Sequence, residues 1–350
     1  MITTKVGRLR LAHHHLTGGK KMNLTRTIAA SAFLALSGLM AAPVAAQVAP
    51  PSPVMSAASQ SPGSLYVTYV AAWIEQVQKA FNGLTISQEP GGAAQNIVLV
   101  NNGDTDFGIS NGPQAYQAVH GFGWTNGETY DKIAALHPAY PALTSVFTLA
   151  SSDIEMLADL NGRNVGIGLP GGGSDVVSGQ LFEHLGITPS QRIAGSWEDT
   201  AGMLRDGLVD AVFYLAGHPA GFIQELEIGR ELRFIGLEAA DMESFLEAYP
   251  YYGTGTLKAG VYTGITEDMP TLVQMNFMFG RPDLPDDFVT ALLESVYDNV
   301  DGLAAVHPDF VNTSFENVAN IPVPFHPAAE KFYADRSVKM NVPAAPEAPK

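Results

Sequence analysis

Short apolar runs alternate along this chain with longer stretches in which apolar residues recur at helical spacing. The longer stretches predict helices, for example over residues 66–81 and 288–300. The short runs predict strands, at residues 84–86, 107–109, 133–136, 146–149, 165–167, 211–213 and 234–235. Strands that alternate with helices are typical of an α/β architecture, so we expect mostly parallel sheets.

The segment 164–176 carries the clearest local signal, an apolar run followed by Pro170, three glycines, Ser174 and Asp175. It predicts a strand, a glycine loop and a helix for which Ser174 is the N-cap. Backbone N–H groups in such a loop suit a carboxylate or phosphate. The same segment spells G-x-G-x-x-G, but it lacks the acidic residue of a dinucleotide site and the Lys of a P-loop. A tight turn without a ligand is the other reading.

The length of the chain predicts two lobes, since about 300 residues follow the leader described below. Two segments, 99–109 and 203–213, repeat one pattern in which a helix ends at a Gly and an Asp begins a strand three residues later. We expect a linker at 47–53, lobe I at 54–147, lobe II at 148–272, a return to lobe I with C-terminal helices at 273–342, and a disordered tail at 343–350.

The first 46 residues predict a secretory signal peptide behind a short leader. Lys20, Lys21 and Arg26 precede an apolar run at 28–40, and small residues lead to a cleavage site after Ala46. The apolar run is shorter than the roughly 20 residues of a membrane-spanning helix. We therefore expect a periplasmic protein, with Met1 and Met22 both open as the natural start.

Composition excludes several classes of function. Without residues 1–46 the chain has 13 Lys plus Arg against 35 Asp plus Glu, a net charge near −22, which disfavours nucleic acid and anionic membranes as partners. The chain has no Cys, which excludes disulfides, thiol nucleophiles and a lipid anchor on a Cys. The six histidines that follow residue 46 show no metal-binding spacing, so we expect no metal and no cofactor.

The order of several motifs resembles the TAXI group of solute receptors, the extracytoplasmic binding proteins of tripartite ATP-independent periplasmic (TRAP) transporters. The resemblance spans residues 54–335. Its motifs are the GSLY run at 63–66, GGAAQN at 91–96, GDTD at 103–106, PGGGSD at 170–175, GHP at 217–219, YTG at 262–264 and IPVPFHPAAEKFY at 321–333. The chain departs from the family pattern at Val67 and at Asn111, Gly112 and Pro113.

The resemblance implies a two-lobed periplasmic binding protein of type II-like fold, with a ligand cleft between lobes joined by crossover strands. It implies that the protein captures a small organic anion of the glutamate, glutamine or 2-oxoglutarate type by cleft closure and delivers it, as a monomer, to a TRAP permease. The residues expected to bind the ligand are Ser64, Tyr66, Gln95, Asn96, Asn111, Gly172, Gly173, Ser174, Asp175, Gly217 and His218.

Local roles compete with ligand binding at several of these positions. Capping is an alternative for Ser64, Gln95, Asn96 and Asp175, core packing for Tyr66, and an ordinary turn for Asn111 and His218. Two other functions are also open. A periplasmic ligand sensor for a membrane signalling partner needs the same clamp, and Ser174, His218 and Asp210 would supply a hydrolase triad, although no G-x-S-x-G elbow surrounds Ser174. We expect no enzymatic activity.

Overall fold

The computed structural model describes residues 48–60 and 64–345. The predicted signal peptide, its cleavage site and the last residues of the predicted tail lie outside them. Ala344, inside the predicted tail, contacts the rest of the protein, because the hydroxyl of Tyr116 donates a hydrogen bond to its carbonyl at 2.5 Å.

Ten strands form one sheet in the described part of the chain. Their bounds are β1 Val54–Ala58, β2 Thr85–Glu89, β3 Phe107–Asn111, β4 Ala134–Leu149, β5 Asn164–Gly168, β6 Gln191–Ala194, β7 Ala211–Ala216, β8 Leu232–Ile235, β9 Gly253–Leu257 and β10 Met269–Gly280. The order along the sheet is β2-β1-β3-β10-β4-β7-β5-β6, with β8 paired to β4 and β9 paired to β10.

The α-helices lie between these strands and after the last of them. They are α1 Leu65–Ala80, α2 Ala93–Asn102, α3 Gly112–His120, α4 Gly173–Leu185, α5 Trp197–Arg205, α6 Gly221–Gly229, α7 Ala239–Ala248, α8 Asp286–Tyr297, α9 Val300–Ala304 and α10 Pro327–Ala334. Four 3-10 segments lie at Gly123–Thr125, Leu157–Leu160, Pro308–Asn312 and Phe315–Asn320. The mixed α/β architecture is as predicted.

The prediction of mostly parallel sheets is wrong. Of the nine strand pairings among the described residues, four are parallel and five are antiparallel. The two long strands β4 and β10 are responsible, because they pair antiparallel with each other and with the strands beside them. The parallel strands β1–β3 join one side of this pair, and β5–β7 join the other.

The strand β4 is a single element where the sequence predicts two strands, at 133–136 and 146–149. Pro138 and Pro141 interrupt the apolar pattern, which suggests a break, since proline cannot donate to a sheet. The structure accommodates them with two shifts in the register between β4 and β10, which leave Leu136 and Ala139 without a facing partner. The prolines therefore bend β4 without ending it.

The helix α1 shows how the sequence builds the core. Ser64 is its N-cap and accepts a hydrogen bond from the Tyr66 N–H. Apolar residues then recur at spacings of three and four, so Tyr69, Trp73 and Val77 form one fully buried face. This face packs in the main hydrophobic core, which extends across both sides of the sheet, while a smaller core surrounds Phe147.

Candidate functional site

A cavity of about 370 Å³ lies where the two sides of the sheet meet. The long strands β4 and β10 contribute its floor, and residues before or at the starts of four helices contribute most of its walls. Its lining residues are Gln60, Leu65, Tyr66, Ala93, Asn111, Gln114, Tyr140, Ala142, Gly171, Gly172, Gly173, Ala216, Gly217, Gln274 and Asn276. This size suits a small metabolite rather than a polymer.

The N-terminal ends of α1, α2, α3 and α4 all contribute to this lining. A helix N-terminus carries the positive end of the helix dipole and backbone N–H groups that have no acceptor within the helix ladder itself. The cavity thus attracts a negatively charged group although no Lys or Arg is among its lining residues. A carboxylate is one of the anionic groups that such an arrangement binds.

Tyr66 is at the centre of a buried hydrogen-bond network in the cavity. Its hydroxyl donates to the Asn276 Oδ1 at 2.7 Å, and the Asn276 amide donates to the Tyr140 carbonyl at 3.0 Å. Burial raises the pKa of Tyr66 well above its usual value, so the side chain stays a neutral donor. The network joins α1 to both long strands and fixes two lining side chains.

The glycine loop before α4 borders the cavity as the sequence predicts. Gly171 has a φ of 71°, a conformation that favours glycine. Gly173 leaves little space for a side chain, because a Cβ there would lie 3.1 Å from the Leu215 Cδ2, a close contact, and 3.5 Å from the Gln274 Oε1. The absence of side chains at 171–173 exposes the start of α4 to the cavity.

Ser174 is not the N-cap of α4, and this part of the sequence interpretation is wrong. Gly172 is the N-cap. The Ser174 side chain is buried, and its Oγ accepts a hydrogen bond from the Leu215 N–H at 2.9 Å. Ser174 thereby fastens α4 to β7 and does not line the cavity.

Asp175 also makes local contacts and is not among the lining residues. Its Oδ2 accepts a hydrogen bond from the Gly171 N–H at 2.8 Å, and its Oδ1 forms an ion pair with the Arg192 guanidinium at 2.5 Å. The first contact holds the glycine loop against α4, and the second joins α4 to β6. In this structure Asp175 shapes the loop rather than facing a ligand.

Asn96 is fully buried and uses its amide within the protein. Its Nδ2 donates to the Ser59 and Ile109 carbonyls, each at 2.7 Å, and its Oδ1 accepts from the Gly92 N–H at 3.1 Å. Its neighbour Gln95 is exposed and does not line the cavity. Asn96 therefore positions the start of α2, from which only Ala93 contacts the cavity.

Ser64 and Asn111 cap helices at the edge of the cavity. Besides capping α1, Ser64 donates its hydroxyl hydrogen to Gln60, a lining residue. Asn111 caps α3 by accepting from the Gln114 N–H at 3.0 Å, and its own Nδ2 donates to the Gln114 Oε1 at 3.1 Å. Asn111 lines the cavity, whereas Ser64 acts on it through Gln60.

His218 follows the lining residue Gly217 but does not line the cavity, because its ring contacts Tyr262 and Leu143. Tyr262 accepts a hydrogen bond from the Ala220 N–H and lies 2.8 Å from the His218 Nδ1, while the Nε2 lies 3.2 Å from the Leu143 carbonyl. Burial lowers the pKa of His218 to about 4. The ring is thus neutral, with Nε2–H donating to Leu143 and Nδ1 accepting from Tyr262.

The triad considered from the sequence does not assemble. The Ser174 hydroxyl contacts Leu215, the His218 ring contacts Tyr262, and the Asp210 carboxylate accepts from the Asn164 N–H at 2.7 Å. A hydrolase needs the base within hydrogen-bond reach of the nucleophile. This arrangement provides no activated serine.

Five of the predicted residues line the cavity, namely Tyr66, Asn111, Gly172, Gly173 and Gly217. Sequence reasoning missed Tyr140, Gln274 and Asn276, which come from the middles of the long strands. A signal for the last two is present, because Gln274 and Asn276 interrupt the otherwise apolar run of β10. The Gln274 side chain makes no hydrogen bond to another described residue, so its amide is free to contact a solute.

No group of three or more His, Asp or Glu in residues 48–60 and 64–345 has the geometry of a metal site. In the same part of the chain, none of the helices combines the length and the apolar character that crossing a bilayer requires.

Comparison with known proteins gives the family and the fold. The model of the NMT1-like family matches residues 55–336. A TctC solute-binding protein from Polaromonas, 13% identical, superposes with a TM-score of 0.52 over 73% of this chain and 88% of that chain. The TM-score is 0.46 for a Xanthomonas citri protein bound to a chloride ion, which is 13% identical over 82% of this chain and 96% of that chain. The periplasmic aliphatic sulphonate binding protein of Escherichia coli superposes with a TM-score of 0.43 and is 13% identical. The match covers 83% of this chain and 94% of that chain.

The predicted fold class is confirmed by the superposition on the TctC protein. The superposition shows the fold alone, so the absence of enzymatic activity stays a prediction. The finer resemblance to the TAXI group stays a prediction.

Proposed function

This chain belongs to the NMT1-like family, and from that premise we propose that it is a periplasmic receptor for a small organic acid. The expected solutes are of the glutamate, glutamine or 2-oxoglutarate type. The observation that carries the proposal is the convergence of four helix N-termini on one cavity whose lining residues include no charged side chain. Such a site binds a carboxylate with backbone N–H groups and helix dipoles alone.

We propose that the protein closes around its solute by a hinge motion of two lobes. Lobe I would comprise residues 54–147 and 273–342, and lobe II residues 148–272. The topology supports this division, since β4 and β10 are the long strands that link the two sides of the sheet, and the cavity lining draws on both sides. The cavity then becomes drier on closure, which strengthens each hydrogen bond to the solute.

The proposal is tested by calorimetry on the exported protein with L-glutamate, L-glutamine and 2-oxoglutarate. A dissociation constant near micromolar for one of them corresponds to about 8 kcal/mol, which a few charge-assisted hydrogen bonds and cleft closure supply. Native mass spectrometry of protein purified without denaturation would show a retained solute and a monomeric mass. A decrease in the radius of gyration on adding the solute would report closure. No heat with any carboxylate would contradict the proposed solute class.

We further propose that the receptor delivers its solute to a TRAP-type permease. The support is the order of motifs that resemble the TAXI group, together with the superposition on the TctC solute-binding protein. Reconstitution tests this partner directly. Uptake of the solute into proteoliposomes that contain the permease should require the receptor, and uptake that proceeds equally without it would argue against the partnership.

A further inference from the structure

The cavity has an unusual balance of polar groups. Its polar side chains are five carboxamides and two tyrosines, namely Gln60, Asn111, Gln114, Gln274, Asn276, Tyr66 and Tyr140. Carboxamides both donate and accept hydrogen bonds, so they suit an uncharged polar group. The helix N-termini provide for one carboxylate, and no lining side chain provides a second positive partner.

One carboxylate lies directly behind this lining. Asp309, in the 3-10 segment that follows α9, contacts the lining residue Gly217 so closely that a Cβ at position 217 would overlap its Oδ2. Burial is the main cause of the raised pKa values of Tyr140, Tyr214 and Tyr262, and the negative charge of Asp309 raises all three further. Gly217 and Tyr140 both line the cavity, so the Asp309 carboxylate lies next to its wall.

The Asp309 carboxylate has no cationic partner within the described residues. None of the ion pairs in this part of the chain involves it, and its side chain accepts no hydrogen bond there. Burial raises its pKa, and the only opposing influence is the nearby His307 ring. A half-buried carboxylate without a counter-charge is costly unless something else supplies the charge.

We propose that Asp309 makes the cavity selective for solutes that carry an ammonium group as well as a carboxylate. This inference rests on the proposed function and narrows its solute class. The expected ligand is a net-neutral zwitterion, an α-amino acid with an uncharged polar side chain, and anions without an ammonium group are rejected. The ammonium group would lie at the Tyr140 and Gly217 wall, where the Asp309 charge and the tyrosine ring both stabilise it.

The other parts of the solute then have partners as well. The carboxylate lies at the helix N-termini, of which α4 presents Gly173 without any side chain. The free amide of Gln274, which lies against Gly173, is placed to bind the polar side chain of the solute. A second carboxylate on the solute would meet carboxamides and the field of Asp309, and no cation.

The test compares three probes by calorimetry on the exported protein, namely L-glutamine, 2-oxoglutarate and L-glutaminamide. We expect L-glutamine to bind at least tenfold more tightly than 2-oxoglutarate, which lacks the ammonium group. Equal or tighter binding of 2-oxoglutarate would overturn the inference and leave the proposed function intact. Binding of L-glutaminamide, which lacks the carboxylate, at the affinity of L-glutamine would overturn the proposed solute class and leave the ammonium selectivity intact. No binding of any probe would contradict both.

A pair of charge-matched variants assigns the selectivity to one residue. Asp309→Asn should reduce the preference for L-glutamine over 2-oxoglutarate at least tenfold. Asp301→Asn removes the same charge from an exposed position in α9, outside the lining, and should leave the preference unchanged. Circular dichroism and the thermal midpoint confirm that both variants fold. An unchanged preference in folded Asp309→Asn would overturn the role of Asp309.

Discussion

Asp106 and Asp210 make the same contact on the two sides of the sheet. Each precedes a strand, and each carboxylate accepts a hydrogen bond from a backbone N–H of the neighbouring parallel strand. Asp106 accepts from Ser56 at 2.9 Å, and Asp210 accepts from Asn164 at 2.7 Å. Gly103 is the C-cap of α2, and Gly207 directly follows Asp206, the C-cap of α5; their φ values are 79° and 73°. The repeated pattern in the sequence is thus a repeated structural unit.

This relationship predicts a stability loss for Asp106→Asn and for Asp210→Asn. A charge-assisted hydrogen bond to a strand N–H is replaced by a weaker neutral one, so the free energy of unfolding should fall by about 1–2 kcal/mol in each variant. Urea unfolding measures it. The exposed Asp104, two residues from Asp106, provides the control, and Asp104→Asn should change the stability by less than about 0.5 kcal/mol. Equal stability of all three variants would show that the two contacts contribute nothing.

Two tyrosines on one helix separate a role in the cavity from a role in the core. Tyr66→Phe removes the donor to Asn276 in the cavity, and Tyr69→Phe removes the hydrogen bond of Tyr69 with Thr313, 2.8 Å long, in the core. Each variant should lose about 1 kcal/mol of stability. We expect only Tyr66→Phe to weaken solute binding in calorimetry. If both variants bound the solute more weakly to the same degree, the loss of affinity would follow from the lower stability of the protein rather than from the contact of Tyr66 in the cavity.

The glycine loop should be intolerant of side chains because of the solute. Gly173→Val places two methyl groups between Leu215 and Gln274, at the start of α4, and should abolish detectable binding. Gly221 is the matched control, since it also begins a helix and has nothing within 4 Å of an added Cβ. Gly221→Val should bind solute normally. Normal binding by folded Gly173→Val would mean that the solute does not approach this loop.

Stability should fall in mild acid because of buried neutral histidines. Burial lowers the pKa of His137 to about 4, and its Nε2 accepts a hydrogen bond from the Trp73 indole at 2.9 Å. The unfolded chain takes up this proton near pH 6.5, whereas the folded protein does so only near pH 4. The contribution of neutral His137 to the free energy of unfolding is therefore complete above pH 6.5. It is lost as the pH falls toward 4, by up to about 3 kcal/mol.

His137→Gln tests this assignment, because glutamine retains an acceptor for Trp73 and does not titrate. Urea unfolding of both proteins at pH 7.5, 5.5 and 4.5 gives the free energy of unfolding at each pH. The titration of the carboxylates is the same in both proteins, so it cancels in the difference between them. The variant should lose less stability than the wild type over this range. Parallel curves would show that His137 does not contribute to the acid sensitivity.

The sequence by itself determined the local elements and the points at which they start and stop. The prediction of a helix at 66–81 agrees with α1 at Leu65–Ala80, and the glycine loop lies at the cavity as expected. The physical reason is that caps, left-handed glycines and apolar periodicity act within a few residues of each other. These local signals did not predict that the sheet combines parallel and antiparallel strands. That combination depends on the pairing of β4 with β10, which lie more than a hundred residues apart in the chain.

Only the tertiary structure decided which polar side chains meet at the cavity. Asn96 and Ser174 look available in the sequence, but Ile109 and Leu215, supplied by neighbouring strands, occupy their hydrogen-bonding groups. Gln274 looks like an interruption of an apolar strand, yet its amide is left free beside the glycine loop. A side chain is available to a solute only when no part of the fold satisfies it first, and that depends on contacts between segments distant in the chain.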